Sequence, residues 1–225
     1  FEEGIKFTVS TDEKVAFPFY LRIPSWTQKA EVRVNGKKVS AAPVAGKYLC
    51  INREWANGDR VELTLPMSLS MRTWQVNKNS VSVDYGPLTL SLKIAEKYVE
   101  KDSRETAIGD SKWQKGADPQ KWPTTEIYPD SPWNYSLVLD KKEPLKNFKV
   151  IRKSWPADNY PFTVTSVPLE VKAIGRPVPE WKIDETGLCG VLPEEDAVKG
   201  DKEEITLIPM GAARLRISAF PNTKE

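Results

Sequence analysis

Histidine does not occur in this sequence of 225 residues. Its absence removes the Ser–His–Asp and Cys–His nucleophile systems and the commonest transition-metal ligand. Cysteine is nearly as scarce, with only Cys50 and Cys189. Neither has the close partner that thiolate zinc sites use, as in C-x-x-C. A Cys50–Cys189 disulfide would have to join two different expected domains, so the expectation is a pair of buried free thiols. The excess of one charge is small, with a net +2. Lysines and arginines are spread among acids, and no basic stripe points to nucleic acid. No apolar run reaches the roughly 18 residues of a membrane span. Phe1 opens the chain without the charged start and apolar stretch of a secretory leader. The sequence therefore reads as a segment cut from something longer.

Turn residues, by contrast, are plentiful. Twelve glycines and 18 prolines punctuate short alternating segments, the pattern of an all-β sandwich. Ile5, Phe7 and Val9 alternate with polar residues, and so do Phe17, Phe19, Leu21 and Ile23 up to Pro24. Val34-Asn35-Gly36-Lys37 carries the strongest short hairpin signal, because both central positions need positive φ. Strands around Tyr48–Arg53, Arg60–Leu65, Val81–Tyr85 and Leu88–Ile94 complete a first sandwich over residues 1–94. Residues 95–132 are rich in Lys, Asp, Glu, Gly and Pro and read as a long irregular loop or linker packed on the sandwiches. Alternation resumes at Ser136–Leu139 and continues through Phe148–Ile151, Phe162–Val164 and Leu169–Ala173. It then runs through Trp181–Ile183, Glu204–Pro209 and Leu215–Phe220, giving a second sandwich over 133–225. The expected fold class is all-β, with two tandem, mostly antiparallel β-sandwich domains and a long irregular connecting loop.

Four strings are more specific than composition. They are Phe17-Pro18-Phe19-Tyr20-Leu21-Arg22-Ile23-Pro24-Ser25-Trp26; Val34-Asn35-Gly36 with Tyr48, Arg53-Glu54-Trp55, Gly58-Asp59 and Leu65-Pro66-Met67; Asp84-Tyr85-Gly86-Pro87-Leu88; and the run from Thr206 to Pro221. In this order they resemble the C-terminal β region of the β-L-arabinofuranosidase family of glycoside hydrolases, family 127. The resemblance implies an (α/α)6 catalytic barrel placed before two β-sandwiches in the same polypeptide. It also implies a bacterial, periplasmic or secreted parent. The family's chemistry is retaining hydrolysis by a cysteine beside a zinc held by cysteines and a glutamate. Those groups belong to the barrel, and neither Cys50 nor Cys189 matches their motif. The resemblance thus implies no catalytic residue, metal or cofactor in this chain. The segment Trp133-Asn134-Tyr135, with Pro129 and Ser131, departs from the arabinofuranosidases and leaves the sugar specificity of the parent open.

The residues support three roles. The first is an accessory scaffold that braces the barrel and shapes its cleft. Arg22 is a candidate for pairing with a carboxylate at a domain boundary, against the plainer reading of a solvated strand face. Trp26 and Trp55, at strand ends, either cap a core or meet another domain. The second role is a carbohydrate-binding module. Trp113, Trp122, Trp133 and Tyr135 lie in or beside the loop-rich region, and sugars stack on exposed flat rings. If these rings are buried, they staple the irregular segment instead. The third is a protein-interaction or homo-oligomer surface. Independent catalysis would need two acids across a sugar. The Glu194-Glu195-Asp196 run reads as solvated surface, and Asp84 reads as a paired acid at a strand end. Asp110, Asp118 and Asp158-Asn159 lack the spacing of a calcium loop.

Overall fold

The computed structural model describes residues 2–102, 118 and 120–224. The fold is all-β and mostly antiparallel. Among the described residues the one helical element is a 3-10 turn at Met210–Ala212. The chain divides into two compact units, Phe1–Ser70 with Val83–Leu88, and Met71–Ser82 with Thr89–Glu225.

The first unit contains β1 (Gly4–Thr8), β2 (Val15–Arg22), β3 (Glu31–Val34), β4 (Lys37–Lys38), β5 (Tyr48–Trp55) and β6 (Arg60–Thr64). β1, β6, β3 and β4 form one antiparallel sheet, while β2 and β5 pair separately from Val15↔Trp55 to Arg22↔Tyr48. Side chains alternate across a strand, so each strand sends one apolar row inward. Leu21, Leu49 and Trp55 come from the β2–β5 ribbon. They share a single buried cluster with Val32, Val34, Val61 and Leu63 of the other sheet. The two sheets thus close on one core. Trp55 is its largest fully buried side chain. Its ring lies 5.7 Å from those of both Phe17 and Phe19, and its Nε1 donates to the Phe17 carbonyl at 3.0 Å.

The hairpin signal is realised as expected, with Asn35 at φ 50° and Gly36 at 78°. Asn35 also ties this turn to the next one. Its Nδ2 donates to Asp59 Oδ1 at 2.8 Å, and its Oδ1 accepts from the Arg60 amide at 2.8 Å. Gly86, between Tyr85 and Pro87, has φ 56°, and a Cβ there would meet Met67 Cγ at 2.5 Å. Both the dihedral and the space demand glycine.

The remaining strands are β7 (Leu69–Trp74), β8 (Ser80–Tyr85), β9 (Leu88–Leu92), β10 (Glu96–Lys101), β11 (Thr124–Pro129), β12 (Tyr135–Leu139), β13 (Lys149–Arg152), β14 (Leu169–Pro177), β15 (Glu203–Pro209) and β16 (Asn222–Lys224). They build a sheet in the order β16-β12-β14-β15-β9-β8-β7, with β13 paired to β14. β12 and β16 run parallel. Every residue of β8 and β12 is buried. Polar residues of β8 enter the interior only with partners. Ser82 Oγ donates to the Ser218 carbonyl at 2.6 Å and accepts from Trp74 Nε1 at 2.8 Å.

Several segments differ from the sequence expectation. The strands around Val81–Tyr85 and Leu88–Ile94, expected in the first sandwich, lie in the sheet that holds β14 and β15. Residues 181–183 carry only an isolated bridge from Ile183 to Cys189. Part of the 95–132 loop is regular, since β10 and β11 pair from Glu96↔Pro129 to Lys101↔Thr124. None of the residues in these two strands is buried, so no apolar alternation announced them. Residues 162–164 are not a strand, because Thr163 Oγ1 takes the Ser166 amide at 3.0 Å and holds a turn. Residues 215–219 run beside β9 without a ladder. The Ser91 hydroxyl accepts from the Ile217 amide at 3.0 Å, in place of a backbone carbonyl.

The first-unit core yields a stability test. Trp55→Ala removes a fully buried ring and leaves a cavity, which should cost about 3–5 kcal/mol. In urea unfolding followed by aromatic fluorescence and circular dichroism, this should appear as a large fall in the midpoint of the first unit's transition.

Candidate functional site

The carboxylates bear directly on catalysis. Among the described residues, those whose pKa moves (Glu31, Asp59, Asp140, Glu170 and Asp184) all move down. A glycosidase acid must hold its proton near neutral pH, which requires the opposite shift. The causes are structural. Asp59 accepts the Ala56 amide in a turn, and Asp140 accepts the Glu143 and Lys142 amides. Asp184 Oδ1 receives the Thr186 hydroxyl and the Thr186 and Leu188 amides. Glu170 on β14 is the most buried of these acids, and burial by itself pushes its carboxyl up. Lys153 Nζ at 2.5 Å and Lys93 Nζ at 2.6 Å together outweigh that push and hold it ionised. In the acidic run, Glu194 pairs with Lys78 at 2.7 Å, and its side chain is 66% exposed.

The aromatic candidates separate by environment. Trp113 lies outside the described residues. Trp122 is 72% exposed. Tyr135 is buried in β12, and burial with a hydrogen bond to Glu203 pushes its hydroxyl up to about 12. It therefore offers no open platform. Trp133 is half-buried and stacks edge-to-face on Trp181 at 5.2 Å. Trp181 is itself fixed by its Nε1 bond to the Gly190 carbonyl at 3.0 Å.

Trp133 opens into a pocket of about 590 Å3 within the second unit. Glu126 and Tyr128 of β11 line it, together with Arg214 and Arg216 from the segment after the 3-10 turn. The Tyr128 hydroxyl donates to Glu126 Oε2. Arg216 Nε donates to the Ala213 carbonyl at 2.8 Å, which steadies its guanidinium. Arg214 is held by the Tyr160 hydroxyl, and its amide donates to Glu96 Oε1 at 2.9 Å. Tyr98 donates to Glu96 Oε2 at 2.6 Å, and Tyr160 meets Phe162 edge-to-face at 5.5 Å. Sequence reading reached Trp133 but missed the arginines, Glu126 and Tyr128, because only folding brings residues 126–133 to residues 214–216.

The first unit places its candidates differently. Arg22 is exposed at the end of β2, opposite the exposed Tyr48 of β5. On the same outward row, Tyr20 lies opposite Cys50, and a hydrogen bond between them raises the tyrosine pKa. Trp26 is half-buried against the core cluster. Trp55 lies wholly inside that core, so no part of its ring is left for another domain. Both cysteines are free, as expected, but exposed rather than buried. Cys50 shares the outward row of Tyr48 and Asn52 on β5, and Cys189 forms an isolated β-bridge with Ile183.

Residues 1–67 match the family model described as Beta-L-arabinofuranosidase, GH127 middle domain. No curated protein matches the chain at a significant level. Solved structures do. A glycoside hydrolase is 21% identical with a TM-score of 0.57, and the alignment covers 99% of this chain and 30% of that one. A GH127 beta-L-arabinofuranosidase from Geobacillus stearothermophilus T6 is 20% identical with a TM-score of 0.57, covering 99% and 29%. A GH127 beta-arabinofuranosidase is 20% identical with a TM-score of 0.56, covering 99% and 30%. The chain thus has the fold of a region that makes up about three tenths of those proteins' length.

The Glu170 site predicts a pH dependence. Its folded pKa is lowered, so the stabilisation is full above the ordinary carboxylate value of 4.5 and is lost as pH falls through the folded value. Thermal melting from pH 7 to pH 3 should show the second unit weakening across the acid end of this window. Glu170→Gln should flatten that dependence and cost about 1–3 kcal/mol at neutral pH, between an exposed and a fully buried pair.

Proposed function

We propose that this chain is the non-catalytic β-sandwich region of a glycoside hydrolase, and that it braces an (α/α)6 catalytic barrel of the same polypeptide and shapes one wall of its cleft. The observation that carries this reading is the coincidence of 99% of the chain with about 30% of the length of known glycoside hydrolases. The match of residues 1–67 to a GH127 middle domain supports it. So do Glu31, Asp59, Asp140, Glu170 and Asp184, which serve as turn caps and ion-pair partners. On this reading the hydrolytic groups and their zinc belong to the barrel, and the parent is a bacterial periplasmic or secreted enzyme.

The outward row of the β2–β5 ribbon suits contact with the barrel. Arg22, Tyr48 and Tyr20 present a guanidinium and two phenol rings, 68% exposed at Tyr48 and 62% at Tyr20. Arginine and tyrosine are enriched where protein surfaces meet, because each joins a large apolar area to directed hydrogen bonds.

The test compares the 225-residue chain with a polypeptide that also carries the barrel. The chain by itself should not hydrolyse aryl arabinofuranosides. Arg22→Glu should lower the melting temperature and turnover of the longer polypeptide, yet leave the melting of the shorter chain within about 0.5 kcal/mol of the parent. Hydrolysis by the rigorously purified chain, or an Arg22→Glu variant without effect on the longer polypeptide, would overturn the reading.

A further inference from the structure

We infer that the pocket lined by Trp133 is a carbohydrate-binding site, and that it takes an oligosaccharide carrying a uronic acid. The proposal does not depend on the bracing role, since every group it uses lies in the second unit. The pocket's volume of about 590 Å3 falls within the roughly 300–1,000 Å3 of small-ligand sites. Its walls combine two chemistries that sugars require together. An aromatic face attracts the C–H edges of a sugar ring, because its π-system is electron-rich. Flat, polar side chains then fix the hydroxyls in register.

Trp133 supplies the first. Its edge-to-face contact with Trp181 at 5.2 Å holds the ring, so little side-chain freedom is lost when a ligand stacks on it. Tyr128 extends the apolar wall and is 43% exposed. Beside the pocket's arginines, Tyr98, Tyr160 and Phe162 are 54%, 47% and 50% exposed. These three rings lie outside the pocket's lining, so its own aromatic surface is Trp133 with Tyr128.

The second chemistry selects an acid. Arg214 and Arg216 line the pocket with one carboxylate, Glu126, whose Oε2 is already engaged by the Tyr128 hydroxyl. Arg216 spends its Nε on the Ala213 carbonyl and so presents its two Nη groups on a steadied plane. That fork matches a carboxylate with two parallel hydrogen bonds, which neutral hydroxyls cannot match in charge. The site therefore favours a uronate over the corresponding neutral sugar.

The test is isothermal titration calorimetry of the 225-residue chain. It compares a uronate-containing oligosaccharide with a neutral one of the same length and linkage. The uronate ligand should bind at least about tenfold more tightly, and the difference should shrink as salt rises. Trp133→Ala should weaken both ligands. Arg216→Gln, at an exposed side chain that leaves the core intact, should weaken the uronate ligand about tenfold or more and abolish the preference. Trp122→Ala, outside the pocket, should change neither. Circular dichroism and melting of each variant separate lost binding from lost folding. Equal affinity for the two sugars, no binding of either, or uronate binding that survives Arg216→Gln would overturn the proposal.

Discussion

Among the described residues the one helical element is a single 3-10 turn, so the apolar faces of the sheets are covered by side chains of other strands and loops. In the first unit that requirement is met by a two-stranded ribbon and a four-stranded sheet closing on one cluster. Trp55 fixes the ribbon's inner face, since its ring packs with the Phe17 and Phe19 rings while its indole N–H satisfies the Phe17 carbonyl, and Phe19 in turn meets Phe7 of β1 edge-to-face at 5.5 Å. The same requirement explains the large sheet. β8 and β12 are buried along their whole length, so their polar groups go in only with partners.

That rule is seen most clearly where charge is buried. Glu170 could not remain ionised at 7% exposure by itself. Two lysines close on one of its oxygens, and the resulting triad links β14 to Lys93 beyond β9 and to Lys153 beyond β13. The acids whose pKa is lowered, Glu31, Asp59, Asp140, Glu170 and Asp184, are the ones committed to holding strands and turns. The side chains left open to a ligand or to another surface are instead the forked cations and the rings: Arg22 with Tyr20 and Tyr48 in one unit, Arg214 and Arg216 around Trp133 in the other.

The local pattern was informative wherever a residue's role depends on its near neighbours. Asn35-Gly36 marked a hairpin, because two consecutive positive φ values are needed there and few residues accept them. The alternation of Phe17, Phe19 and Leu21 marked an inward row. It failed where both faces of a strand have the same environment. In β10 and β11 neither face is buried, so the strands looked like loop. In β8 both are, so Ser80, Ser82 and Asp84 are buried although they alternate with Val81, Val83 and Tyr85. Cys50 and Cys189 were expected to be buried, although Cys50 shares the outward row of Tyr48 and Asn52 on β5.

The sequence by itself determined the class of structure and the absence of histidine chemistry, since composition, turn residues and period-two alternation act over a few residues. Folding decided which residues meet. Glu126 and Tyr128 are nearly ninety positions away from Arg214 and Arg216, yet all four line one pocket with Trp133. Such a pocket is held by long-range pairing of strands, and no local pattern records which strand ends will be brought together.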